Sequence, residues 1–235
     1  GDPQAIFGGI VMTNFGITAE CATHLSTFGM QKGTRILDGV VAPHIGCDAS
    51  FLLKRKDGRG FALTNPELHH IDEGASIDAT QRVRYVRGGM LVQPNYTHVM
   101  DDATWVQHGS RPPISDVIDL RMAWAIGSTS NSNTITIVKG RQLLANAVGQ
   151  QSRIRAARLA LDIAKECGHD VRDAVAYSDS FFPFPDAPKL LAKAGISSML
   201  ASSGSRNDEK VIAAVKDACT LFMVPDSEAR GFYGH

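Results

Sequence analysis

Short apolar runs alternate with amphipathic stretches along most of this chain, and the two periods predict its elements. Residues 5–12, AIFGGIVM, read as a buried strand in which Gly8 and Gly9 mark a close approach of backbone. Thr18 is placed to cap a helix running to about Phe28. A strand is expected at 36–42, a solvated turn at 54–60 (KRKDGRG), and further short strands at 61–63 and 90–93. Residues 97–113 are irregular and end in Pro112-Pro113, which predicts a boundary between a lobe at 1–113 and a lobe at 114–235. Ser115 and Asp116 then read as caps of a helix carrying Ile118, Met122 and Ile126 at helical spacing.

Beyond that helix the pattern becomes regular. Strands are expected at 134–138, 143–147, 174–177, 198–201 and 221–224. Helices are expected at 152–167, from the aromatic loop to 194, and at 208–218, the first stopped by Gly168. Such alternation predicts an α/β fold with a largely parallel or mixed sheet. The loops SDSFFPFPD (178–186), SSGSRND (202–208) and PDSEARGF (225–232) each leave the C-terminal end of a strand, where ligands bind in parallel sheets. Two prolines exclude SDSFFPFPD from a sheet interior or a helix interior. Its phenylalanines either wall a pocket for a flat ligand or plug the core.

Composition narrows the classes. Apolar residues make up 43% of 235, enough for a sizeable core, and 24 basic residues balance 24 acidic ones. A general nucleic-acid binder needs excess positive charge, so none is expected. No apolar run approaches the ~18 residues of a membrane span, and a cytoplasmic location is expected. Cys21, Cys47, Cys167 and Cys219 form no CxxC pair and read as reduced thiols. His69-His70 with Asp72 and Glu73 lacks a spaced third ligand, so no metal site is assigned there. The abrupt opening on an apolar run suggests that chain precedes Gly1 in the full protein.

Two polar positions stand out in the second half. Arg153 follows Gly149 at a helix start, where backbone N–H groups attract anions. Its fork can grip a carbonyl or phosphate, or it can be an exposed first-turn residue. Asn133 stands at a strand entrance within STSNSNTITIV. Its amide can both donate to and accept from a substrate, or it can bond local backbone as turn amides do.

Taken together, GDPQAIFGGIV, LDGVVAP, GGMLVQ, SNSNTITIV, GQQSRI, SDSFFPFPD and SGSRNDEKVI span nearly the whole chain. In these motifs it resembles the formyltransferase region of the AICAR transformylase family, which makes formyl-AICAR from 10-formyltetrahydrofolate and the AICAR ribonucleotide in purine biosynthesis. The resemblance implies two cytidine-deaminase-like α/β lobes and an intertwined homodimer. Phe7, Gly8 and Asp38 should meet the ribose side of the nucleotide, and Arg230 its phosphate. Asn133 and Arg153 should hold the carboxamide with the backbone at Phe181, and Asn133 is the implied catalytic residue on this chain. Ile154, Phe181, Pro183, Phe184, Asp186 and Ser205 should form the folate pocket, with Asp186 on the pterin. Asp179 and the 128–132 loop correspond to a monovalent-cation (potassium) site.

The chain also departs from the family pattern. ANAVG (145–149) replaces a glycine-rich run, and Ser128 and Asn131 stand where lysines are common, as in a short-form branch. The family's Lys-His proton-shuttling pair lies upstream of the DP-x-S-A-F-G-G motif. The first lobe is therefore expected to be incomplete at its N-terminus, the chain alone is expected to be inactive, and the missing N-terminal segment of the same protein is the implied partner. The alternative is a non-catalytic nucleotide- or folate-binding module.

Overall fold

The computed structural model describes residues 8–28, 30, 33–53, 60–71, 80–95 and 98–229, with the side chains of 51–52 and 227–228 excepted. The chain forms two compact units, one within Pro3–Ile77 and the other within Asp78–His235.

The smaller unit holds a parallel sheet of β1 (Ile10–Met12), β2 (Gly39–Ala42) and β3 (Phe61–Thr64), with β2 in the centre. Helices α1 (Ala19–Thr27) and α2 (Cys47–Leu52) supply the crossovers. Thr18 caps α1 as expected, accepting from the Cys21 N–H at 3.2 Å. The other end of α1 is closed by Arg35, whose guanidinium donates to the carbonyls of Leu25 and Phe28 at 3.0 and 2.9 Å. The expectation of a buried first strand needs correction. The described part of it, β1, is an edge strand: Val11 packs on the core of Ile17, Ala22, Val40, Ala42 and Ala49, while Ile10 and Met12 are 61% and 64% exposed on the other face. The expected turn at 54–60 lies almost wholly outside the described residues.

The larger unit is built on a six-stranded mixed sheet. It contains β6 (Val106–His108), β7 (Ile135–Lys139), β8 (Gln142–Ala147), β9 (Val175–Ser178), β10 (Ser198–Ser202) and β11 (Thr220–Val224), in the order β6-β11-β10-β9-β7-β8. Strands β9, β10 and β11 are parallel neighbours; β7 runs antiparallel to both β8 and β9, and β6 antiparallel to β11. Alternation sorts the strand residues onto two faces. Ala176, Met199, Ala201, Leu221 and Met223 pack with α4 (Arg153–Glu166), α5 (Asp186–Lys193) and α6 (Asp208–Val215). Val175, Tyr177, Leu200, Phe222 and Val224 pack with α3 (Ile114–Gly127) and α7 (Asp226–Ala229). A separate hairpin, β4 (Gln81–Val86) and β5 (Gly89–Pro94), turns at Gly88, whose φ of 84° suits glycine.

Several expectations shift against this architecture. The larger unit begins before residue 113, because β6 belongs to its sheet. Ser115 and Asp116 do not cap α3: its N-cap is Pro113, and Asp116 is buried inside the first turn, accepting from the hydroxyls of Ser197 and Ser198 at 2.8 and 2.7 Å. The buried face of α3 runs through Asp116, Asp119, Leu120, Ala123 and Gly127, and Ile118 faces outward. Small residues let that face sit close on the sheet, which apolarity alone does not reveal.

Candidate functional site

Because β9, β10 and β11 are parallel neighbours, their C-terminal ends lie along one edge, and the three loops singled out in the sequence leave from it. Hydrogen bonds stitch those loops together. Asp226, opening α7 after β11, accepts from Ser180 after β9 at 3.2 Å and from Ser202 at the end of β10 at 2.7 Å. The Asn207 amide donates to the Pro183 carbonyl at 2.8 Å, tying the second loop to the first. Asp208 steadies the second loop by accepting from the N–H groups of Gly204 and Ser205 at 2.7 and 3.2 Å.

Within SDSFFPFPD the aromatic rings divide their work. Phe182 is buried and joins the core beside Ala187 and Leu191, so it is the plug. Phe184 is 62% exposed at the rim, and Phe181 and Pro183 are half-buried. Asp186 is exposed on the first residue of α5, where its Oδ1 accepts from the Ala187 N–H at 2.8 Å. The positive end of a helix favours a carboxylate there. Ile154 leans on the core as a half-buried residue, and Ser205 Oγ accepts from the Asn207 N–H at 3.1 Å.

Arg153 is no exposed first-turn residue. It is buried and ion-paired to Asp179, which also accepts from the Thr134 N–H at 2.7 Å. That pairing bears on the expected potassium site. Asp179, the acidic member of that expected site, thus faces the Arg153 guanidinium through Oδ1. Among the described residues no group of three His, Cys, Asp or Glu side chains could hold a metal ion. Asn133 takes the backbone option: its Nδ2 donates to the Gln150 carbonyl at 2.8 Å, beside two backbone bonds between the same residues at 3.0 Å. The amide thus pins the entrance of β7 to the turn before α4.

In the smaller unit the structure brings Gly8 and Asp38 together. The Gly9 N–H donates to Asp38 Oδ2 at 2.8 Å, and a Cβ on Gly8, whose φ is 90°, would lie 2.5 Å from that same oxygen. The glycine pair therefore marks a close approach, and what it approaches is a carboxylate. Phe7 and Arg230 lie outside the described residues. So do Asp72 and Glu73, while His69 and His70 are exposed on the 3-10 turn Pro66–His70. Asp226, Ser180 and Ser202 were not singled out from the sequence. The Pro-Asp opening of PDSEA, a helix-start signal, was the available clue.

Residues 1–163 match the family model described as AICARFT/IMPCHase bienzyme. The bifunctional purine biosynthesis protein PurH of Acidithiobacillus ferrooxidans is 35% identical over 221 residues, covering 92% of this chain and 39% of that protein. PurH of Bacteroides thetaiotaomicron is 34% identical over 216 residues, covering 91% and 39%. The chain thus spans well under half the length of these relatives. A solved diaminohydroxyphosphoribosylaminopyrimidine deaminase/5-amino-6-(5-phosphoribosylamino)uracil reductase from Thermotoga maritima overlays 48% of this chain and 35% of its own at a TM-score of 0.28 and 18% identity. That likeness is too slight to bear on the fold.

Proposed function

This chain belongs to the AICARFT/IMPCHase bienzyme family, and from that premise we propose that it is part of a formyltransferase of purine biosynthesis. In this reading the formyl group of 10-formyltetrahydrofolate passes to the 5-amino group of the AICAR ribonucleotide. The new bond joins the amine nitrogen to the formyl carbon, the bond from that carbon to N10 of the folate breaks, and the amine's proton leaves while N10 gains one. The amine is a weak nucleophile because its lone pair is conjugated with the ring. Rate then comes from positioning, proton removal and stabilisation of a tetrahedral oxyanion.

The observation that carries the proposal is the single edge on which three loops meet, with an exposed Phe184, half-buried Phe181 and Pro183, and the carboxylate of Asp186. Aromatic and proline surface beside a carboxylate is the right chemistry for a flat pterin with a hydrogen-bonding edge. Phe181, Pro183, Phe184, Asp186, Ile154 and Ser205 are assigned to the folate. Phe7, Gly8, Asp38, Asn133 and Arg153 are assigned to the nucleotide, and Arg230 to its phosphate. Asn133 and Arg153 act through the backbone and carboxylate they already hold, keeping the β7 entrance and the start of α4 in place. The two lobes are read as cytidine-deaminase-like, and the working protein as a cytoplasmic homodimer with an N-terminal segment of the same protein supplying the proton shuttle. No helix among the described residues is long and apolar enough to cross a membrane.

The test is direct. Full-length protein is supplied with AICAR ribonucleotide and 10-formyltetrahydrofolate, and tetrahydrofolate release is followed with and without the nucleotide. Nucleotide-dependent release supports the proposal. Binding of both ligands without release would leave a binding module in its place.

A further inference from the structure

We propose that the larger unit carries a binding site for a small organic polycation, of the diamine or polyamine class, at the sheet edge opposite the three loops.

Strands β9, β10 and β11 are parallel, so the edge at which they start is remote from the edge at which those loops leave. A cavity of about 430 Å³ opens at the starting edge, beside Ser198 and Thr220, the first residues of β10 and β11. Small-molecule sites occupy roughly 300–1,000 Å³, so the space suits a compact ligand. Its walls are apolar at Pro112, Pro113, Ile196 and Ala218. They are also tied in place. The Thr220 hydroxyl donates to the Ser110 carbonyl at 2.6 Å, and the Asp173 N–H donates to the Gly195 carbonyl at 2.8 Å.

Charge sets the class of ligand. Three aspartates line the cavity, Asp116, Asp173 and Asp217, against one lysine, Lys216. Asp116 is the anchor. It is only 8% exposed, and the hydroxyls of Ser197 and Ser198 both donate to the same oxygen, Oδ2. Oδ1 accepts no hydrogen bond, and no cationic side chain among the described residues forms an ion pair with Asp116. That oxygen is not sealed off, and the space it opens on is the cavity. A carboxylate so deeply buried usually has a counter-charge, because neutral hydroxyls alone do not offset its desolvation. An ammonium group in the cavity supplies one, and the low polarity around it strengthens the attraction.

The spacing of the acids decides between a metal ion and an organic cation. No three acidic, histidine or cysteine side chains among the described residues come close enough together to hold a metal ion. The three carboxylates therefore surround the cavity without converging on one point. Ammonium groups separated by methylenes match that spread. The methylenes match the proline, isoleucine and alanine walls, with one ammonium on buried Asp116 and another on exposed Asp173 or Asp217.

The experiment titrates full-length protein with putrescine and spermidine by calorimetry, with butanediol and magnesium chloride as the uncharged and the compact control. Both amines are expected to bind at one equivalent, spermidine the more tightly, while butanediol gives no binding and magnesium does not displace the amines. Asp116→Asn is expected to weaken spermidine by about ten- to a hundredfold, the cost of one charge-assisted hydrogen bond. Asp173→Asn and Asp217→Asn remove exposed charges, and each is expected to weaken it by about two- to fivefold. Asparagine tolerates the left-handed φ of 58° at position 173, so the backbone there is kept. These two variants, singly and together, decide the matter if Asp116→Asn does not fold. Absence of amine binding at millimolar concentration would overturn the inference. So would displacement by magnesium, or an affinity unchanged in the Asp173→Asn, Asp217→Asn double variant. Neither substrate of the formyl transfer enters the assay, so its outcome is independent of the formyltransferase reading.

Discussion

Arg153, on the first turn of α4, is ion-paired to Asp179, at the end of β9, with side-chain exposures of only 7% and 0%. The pair spans 26 positions of sequence and bonds the helix that follows β8 to the strand end that begins the aromatic loop. Asp179 also accepts the Thr134 N–H, so three segments meet at one carboxylate. The pair thereby ties the start of α4 and the entrance of β7 to the loop that follows β9.

Asp179→Asn is expected to destabilise the protein by about 3–5 kcal/mol, because it leaves a buried guanidinium without its counter-charge. Replacing both partners, as in Arg153→Met with Asp179→Leu, removes the stranded charge and is expected to cost less. Urea denaturation of the two variants checks the order. A double variant less stable than Asp179→Asn would reject this account of the pair.

The aromatic loop gives a paired contrast. Phe182→Ala empties a core site and is expected to cost about 3–5 kcal/mol. Phe184→Ala removes an exposed ring and is expected to stay within about 0.5 kcal/mol of the parent, yet to weaken folate. Thermal melts and folate titration of both variants separate the plug from the rim. A large loss of stability in Phe184→Ala would contradict the exposure on which its assignment rests.

How much of this was legible in sequence follows from what each signal depends on. The alternating second half could be read because its strands are short apolar runs between capped helices, and Thr18, Ser152 and Gly168 act within a turn of their own position. The hairpin strand β4 was missed because RVRYV exposes both faces, so alternation did not mark a core. Strand β6 was missed because it is three residues long and owes its existence to β11, more than a hundred residues on. At the site, residue types pointed to three loops that follow neighbouring parallel strands. Sequence could not say that Phe182 turns inward and Phe184 outward, that Arg153 would meet Asp179, or that Asp226 would join three loops. Those are tertiary pairings with no local signature.

In the smaller unit, Gly39 and Phe61 are cross-strand partners, and a Cβ on Gly39 would lie 2.4 Å from the phenylalanine ring. Gly39→Ala is therefore expected to push the ring from the strand and cost about 1–3 kcal/mol. Gly39→Ala with Phe61→Leu should recover part of the loss. Melts of the single and double variants decide, and a single variant as stable as the parent would show that the ring moves freely.

Two groups outside the site carry shifted titrations. Burial pushes the Cys219 thiol up to about 11, whereas Cys47 is exposed. A group whose folded pKa lies above its unfolded value of 9.0 stabilises the fold below about pH 9 and stops doing so as pH rises towards 11. On the acid side, hydrogen bonds from the Arg172 side chain lower Asp170 to about 2, so its small surface contribution is lost as pH falls from about 4 towards 2. Alkylation at pH 8 should label Cys47 in the native protein and Cys219 only on unfolding. Rapid native labelling of Cys219 would contradict its burial.

The sharpest prediction concerns Asp186. One of its oxygens, Oδ1, is engaged by the Ala187 N–H, and Oδ2 has no hydrogen bond among the described residues. An exposed carboxylate with one oxygen anchored is pre-oriented to accept from the N–H edge of a pterin, which is the role assigned to it. Asp186→Asn keeps the size and the anchoring oxygen but removes the charge. Loss of a charge-assisted hydrogen bond costs roughly 1.5–3 kcal/mol, so folate affinity in the full-length protein should fall by about ten- to a hundredfold. The same substitution also weakens the favourable charge at the start of α5, a smaller effect of about 0.3–1 kcal/mol that appears in stability rather than in binding. Titrating folate and nucleotide separately distinguishes the two: folate should weaken strongly and nucleotide hardly at all. Unchanged folate affinity alongside a small drop in melting temperature would leave Asp186 with only its helix to serve, and would remove it from the pterin slot.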